Sequence, residues 1–251
     1  MLQKLIASRL ITPPAIWGKL PGHSDFVRSA MRHGESEGWQ DWLTQQDCLR
    51  DRHEVGHGPA APPVAFVLPP HSLPFAPRRF VVGVISPSID AVGRHYPVMI
   101  YQLAHSRWVQ RHFEGHAQQP RDWLFWLARA LARHVGEQGM THVLPLRRTV
   151  HALWSLHEPA GWNALGGSPL PSESRTRVAR AGVEELLDRV AGPAPAADVA
   201  AHLRGVRFMP WADWPQCLAN ARVQSAFWQQ DAQGGFVNAT NRLQTLWGEY
   251  R

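Results

Sequence analysis

The sequence predicts a mixed α/β domain in which helices cover a sheet. Apolar runs of strand length recur at Val64 to Leu68, Arg79 to Ile85 and Tyr96 to Leu103. Between and after them lie segments whose apolar residues return every three to four positions, the period of a helix with one buried face. The two patterns alternate along 251 residues, enough chain for a substantial core, and this alternation is what helices packed on a sheet require.

Taken in order, Ala15 to Leu20 follows Pro13-Pro14 and reads as a short strand closed by a Pro21-Gly22 turn. From Glu35 to about Val55 the spacing of Trp39, Trp42, Leu43 and Gln46 is helical, with Gly56, Gly58 and Pro59 as its stop. Val64 to Leu68 reads as a buried strand. Arg79 to Ile85 and Tyr96 to Leu103 form an expected antiparallel pair about the loop between them. Asp122 to Val135 carries the clearest stripe, Trp123, Trp126, Leu127, Ala130, Leu131 and His134, with Arg129 and Arg133 off its centre. Val150 to Leu156 reads as a strand, Arg175 to Val190 as a helix, and Ala191 to Ala197 as a loop or linker. Ala226 to Gln230 and Gly235 to Thr240 flank a turn and predict a hairpin, followed by a last short helix at Arg242 to Tyr250.

Composition narrows the function classes. Hydrophobic residues make up 44% and charged residues 18%, a globular balance. The formal charge is +6, yet Lys4 and Lys19 are the only lysines and the arginines are scattered. Nucleic-acid binding needs cations gathered on one face, and no such cluster or zinc-finger spacing occurs, so nucleic acid is not an expected partner. Cys48 and Cys217 stand far apart, in keeping with a reducing compartment. The N-terminal apolar stretch is short and broken by Lys4 and Arg9, which argues against a signal segment, and no run reaches the length of a membrane span. A soluble cytoplasmic protein without membrane insertion is expected. Twelve tryptophans are many for this length; Trp39, Trp42, Trp123 and Trp126 sit at helical spacing and are expected in the core, whereas Trp211 and Trp214 fall in a loop.

Two segments hold the chemistry-bearing residues. The first, Trp17 to Val27, sets Lys19, His23 and Asp25 around a Pro-Gly turn; Ser24 and Asp25 are placed to cap a following helical turn. The second, Pro87 to Pro97, combines Asp90 and Gly93 in a tight turn with Arg94 entering the next strand. An ion pair from Arg94 to Asp25 or to Asp90 would tie the two loops together at one end of the sheet. A third match is His53-Glu54-Val55-Gly56-His57, the H-E-x-x-H pattern of zinc hydrolases, in which two histidines hold zinc and the glutamate is the base. Gly56 inside it and Gly58-Pro59 after it break the helix that should present the ligands, so zinc is not expected and a zinc-dependent hydrolase is the alternative reading. No phosphate-cradling glycine loop or nucleophile elbow is present, and no cofactor is expected.

The two segments together resemble the TagF (ImpM) family of type VI secretion accessory proteins. The resemblance rests on Gly18-Lys19-Leu20-Pro21, Ser24-Asp25-Phe26-Val27 and the later Trp39 and Trp42, then on Pro87-Ser88, Asp90, Val92-Gly93-Arg94 and Pro97. Ser24 stands where the family carries glycine, and the motifs lie within about residues 13 to 105. The resemblance implies a three-layer α/β/α sandwich with a mixed, largely antiparallel central sheet. It places one compact domain over 13–251, with residues 1–12 an expected flexible segment. It also implies a non-enzymatic regulator, a repressor of assembly or secretion in Gram-negative bacteria. The implied partners are a forkhead-associated scaffold protein and other type VI components. On this reading Lys19, His23, Asp25, Phe26, Asp90, Gly93 and Arg94 form the partner-binding or motif surface.

Overall fold

A computed structural model describes residues 10–46, 62–114, 123–136, 142–163, 223–231 and 234–248, excepting the side chains of 111–114 and 156–163. Seven strands form one sheet: β1 (Ala15–Gly18), β2 (Val27–Ser29), β3 (Val64–Leu68), β4 (Phe80–Ser86), β5 (Val98–Ala104), β6 (Ala226–Gln230) and β7 (Phe236–Thr240). Their order is β2-β1-β5-β4-β3-β6-β7. Every neighbouring pair among the described strands is antiparallel, so the sheet is antiparallel throughout and not mixed.

Five helices complete the described part: α1 (Glu35–Gln45), α2 (Ser106–Glu114), α3 (Trp123–Gly136), α4 (Val143–Asn163) and α5 (Leu243–Gly248). Successive strand residues point to opposite faces of the sheet, and the burial follows that rule. Ile16, Val82, Val84, Ile100, Ala65 and Trp228 join one apolar cluster with Leu124, Leu127 and Leu131 of α3 and Leu146, Val150 and Leu153 of α4. Trp17, Val81, Ile85, Tyr101, Phe66 and Phe227 join a second with Trp39 and Leu43 of α1 and Leu246 and Trp247 of α5. Both faces of β3, β4 and β5 are therefore covered, which explains why these antiparallel strands read as unbroken apolar runs and not as alternating ones.

Several expectations change. Val150 to Leu156 is not a strand but the middle of α4, because Leu146, Val150 and Leu153 bury a 3.6-period stripe against α3. No helical turn follows Ser24 and Asp25; the chain enters edge strand β2, which pairs with β1. Helix α1 ends at Gln45, with the Gln46 N–H bonded to the Trp42 carbonyl. Ile11 and Thr12, expected in the flexible segment, are tied to β5 through an Ile11–Ala104 bridge and a Thr12 N–H bond to the Leu103 carbonyl. The tryptophans at helical spacing are buried, and the Trp123 indole donates to Gln102 Oε1 at 2.7 Å. The Arg175 to Val190 segment, the linker after it, both cysteines and the Trp211 to Trp214 loop lie outside the described residues.

Candidate functional site

Topology brings the two motif loops together. Strands β1 and β4 both run antiparallel to β5, so their C-terminal ends emerge at the same end of the sheet. Gly18 of β1 and Ser86 of β4 pair with the same residue, Val98. Gly18 has to be glycine: φ is +129°, and a Cβ there would lie 2.2 Å from the Pro97 carbonyl oxygen. That close approach lets the first loop start against the end of the second.

The second loop is a small hairpin. Ile89 bridges His95, the Tyr96 N–H donates to the Ser88 carbonyl, and Asp90 and Arg94 bond through N–H and carbonyl at 3.1 Å. Gly93, at φ +84°, closes the turn by donating to the Asp90 carbonyl.

Asp90 is the hub. Its side chain has no exposed surface, and all its acceptor directions are used. Oδ1 accepts the Val92 and Arg94 backbone N–H groups at 3.0 and 2.8 Å, the turn habit of a short carboxylate. Oδ2 accepts Lys19 Nζ at 2.8 Å and Arg94 Nε at 2.7 Å. Burial alone would raise the Asp90 carboxyl; the Lys19, Arg94 and Val92 donors outweigh it and hold the group well below the usual carboxylate range. Lys19 comes from the first loop, is 8% exposed at its side chain, and lies over the Phe26 ring at 5.4 Å.

Further bonds lock the loops. The Ala91 N–H donates to the His23 carbonyl at 2.9 Å, and Arg94 Nη2 donates to the Ser24 carbonyl. The two loops do lie side by side, but Arg94 pairs with Asp90 and not with Asp25. Asp25 points outward, its Oδ1 accepting the N–H of Phe26. Phe26 stacks on Trp17 at 5.6 Å and meets Tyr96 edge-on at 4.7 Å, so it packs and does not project.

His23 reaches a third element. Its Nε2 accepts the Val143 N–H at 3.0 Å, capping the first turn of α4, and its ring stands edge-on to His142 at 5.2 Å. Burial, then the His142 charge, lowers the His23 pKa below its ordinary value. Trp17, Tyr96 and the His142-Val143 contact escaped the sequence reading. Tyr96 sat inside the quoted motif, whereas Val143 is 120 residues from His23 and gave no local signal.

The alternative zinc ligands, His53 and His57 with Glu54, lie outside the described residues. Among the described residues no three His, Cys, Asp or Glu side chains are gathered as a metal would need. No described helix is long and apolar enough to cross a membrane.

The profile of the TagF N-terminal domain family, described as type VI secretion system-associated, matches residues 15–151. The chain belongs to this family. The match takes in both motif loops, the hairpin and the His23 contact to α4. Nothing among curated proteins matches the chain. Among solved structures it is similar to PA0076 from Pseudomonas aeruginosa PAO1, at 21% identity and a TM-score of 0.44, over 68% of this chain and 77% of that one.

Proposed function

We propose that this TagF-family protein is a cytoplasmic, non-enzymatic regulator that represses type VI secretion through protein contact, with a forkhead-associated scaffold protein as partner. The carrying observation is the saturation of Asp90. A carboxylate whose four acceptor directions are filled by Lys19, Arg94 and two backbone N–H groups has no lone pair left for a substrate proton or a metal. The motif chemistry is thus spent on holding a hairpin rigid, as a recognition surface requires. Outward from that hub stand Val92, the free side of the Arg94 guanidinium and Asp25, while Lys19, His23, Phe26 and Gly93 support them. We take residues 13–251 as one domain with an α/β/α sandwich arrangement, as the two apolar clusters on opposite strand faces suggest.

The test pairs binding with secretion. Overproducing the wild-type chain should lower secretion of the type VI tube protein, and the chain should co-purify with the forkhead-associated protein. An Ile89→Ser, Val92→Ser variant, altered only at exposed positions, should melt like wild type yet lose both effects. Full binding and repression by that variant would move the contact off the hairpin. Absence of repression by the wild type would sink the regulatory reading.

A further inference from the structure

Four large apolar side chains are well exposed among the described residues: Ile89 at 42%, Val92 at 63%, Leu144 at 51% and Val237 at 59%. Three of the four belong to one neighbourhood. Ile89 and Val92 flank the hairpin tip, and Leu144 is the second residue of α4. His23 joins the two, its carbonyl bonded to Ala91 and its ring to the Val143 N–H. Exposed aliphatic groups on rigid supports, gathered where three elements meet, mark a contact site more often than scattered surface residues do.

The charges around these tips are mostly positive. Arg147 and Arg148 follow Leu144 at helix offsets of three and four, so they share its face of α4, and both are exposed. Neither forms an ion pair among the described residues. On the hairpin the Arg94 side chain is 59% exposed, with Nε fixed by Asp90 and Nη2 by the Ser24 carbonyl. Nη1 makes no hydrogen bond among the described residues, on a guanidinium whose orientation is already set, so little freedom is lost when it binds. Because Lys19 already balances Asp90, Arg94 keeps a net positive charge at the surface. The exposed acid beside these groups is Asp25, on the first loop.

We infer that this face, built from the hairpin tip and the first turns of α4, docks a segment of a partner protein that interleaves aspartate or glutamate with apolar side chains. The inference rests on the partner-contact reading above and specifies its chemistry. Aliphatic tips set among arginines match carboxylates set among aliphatic side chains, the complementarity that gives a contact both register and on-rate. A second copy of this chain would bring arginines against arginines, which opposes self-docking. Single-stranded nucleic acid would call for stacking aromatics beside the arginines, and the large apolar residues exposed here are aliphatic.

Photo-cross-linking in the host cell tests this with the full chain. A benzophenone amino acid is placed at Val92, at Leu144 or, as control, at Val237, and adducts are mapped by peptide mass spectrometry. Val92 and Leu144 should mark one and the same segment, rich in Asp or Glu with apolar neighbours, and Val237 should not mark it. Arg147→Glu with Arg148→Glu should cut the adduct yield at least tenfold without lowering the melting temperature. Replacing the marked acids by lysine should restore the yield in that variant. Adducts to a basic or uncharged segment, to lipid, to nucleic acid or to a second copy overturn the inference, as does an unchanged yield in the double variant. If the chain still represses secretion and co-purifies with its partner while neither site cross-links, the docking face fails and the regulatory reading stands. If repression and partner contact are both missing, the regulatory reading fails as well.

Discussion

Replacing Asp90 by Asn isolates the central claim about the motif. The amide keeps an oxygen for the Val92 and Arg94 backbone donors but turns an NH2 toward Lys19 Nζ and Arg94 Nε, donor against donor. The two ion pairs differ in weight. The Arg94 side chain is largely exposed, so water screens its arm to at most about 1 kcal/mol. Lys19 is almost fully buried, and removing its counter-charge strands an ammonium in the interior, a loss of about 3–5 kcal/mol. For a chain of this size that is a fall of roughly 6–20 °C in melting temperature.

Urea unfolding followed by tryptophan fluorescence gives the free energy, with Trp17 next to the network as a reporter. The Lys19→Met, Asp90→Asn double variant should lose less than the two single losses combined, by about 1–3 kcal/mol, because neither charge is then left alone. Acidity supplies an independent check. Asp90 has a lower pKa folded than unfolded, so its stabilisation is complete above about pH 4 and fades as the pH falls below that value. The gap between wild type and Asp90→Asn should therefore shrink between pH 5 and pH 2. An Asn variant within about 1 kcal/mol of wild type, or a gap that ignores pH over that range, would refute the reasoning and reduce the hub to a surface ion pair.

Three further outcomes follow from the same geometry. Gly18→Ala should abolish soluble expression or lower the melt far more than Gly93→Ala, since the new Cβ meets backbone at Pro97 and Val98; at Gly93 nothing lies within 4 Å and only the left-handed backbone costs, about 1–2 kcal/mol. His23, whose pKa is lowered on folding, stabilises fully above its unfolded value near 6.5 and loses that contribution as the pH falls below it. NMR should accordingly place its titration under 6.5, with a smaller Val143 amide protection factor at pH 5.5 than at 7.5, after the intrinsic pH dependence of exchange is divided out; an unchanged protection factor would remove the cap. Tyr101→Phe should cost about 1.5–3 kcal/mol in urea, because the buried Glu35 carboxylate loses its 2.7 Å hydroxyl donor and keeps only the Arg32 N–H.

How much of this was legible in the sequence depends on how local each cause is. Strands β3, β4 and β5 and helix α3 were readable because burial on both faces, or on one stripe, leaves its period in consecutive residues. Helix α4 was not, because a window opening at Val150 misses Leu146, the residue that turns Val150 and Leu153 into a helical stripe. Pro145 also reads as a breaker there, although in a first helical turn it forfeits no bond. Edge strand β2, with three residues, is too short to carry any period, so Ser24 and Asp25 read as a helix cap. Within the site the turn at Asp90 and Gly93 was visible, since those residue types suit it on local grounds. The choice between Asp25 and Asp90 as the partner of Arg94 was not. Both carboxylates stand in loops beside a basic residue, and only the common neighbour of β1 and β4 decides which one is buried. Once β5 brings Gly18 and Ser86 onto Val98, the hairpin must fold over the first loop. Asp90 then turns inward onto Lys19, and Asp25 is left at the rim. The division of the motif into a buried hub and an exposed face is thus a property of strand order, and strand order is written in contacts some eighty residues apart.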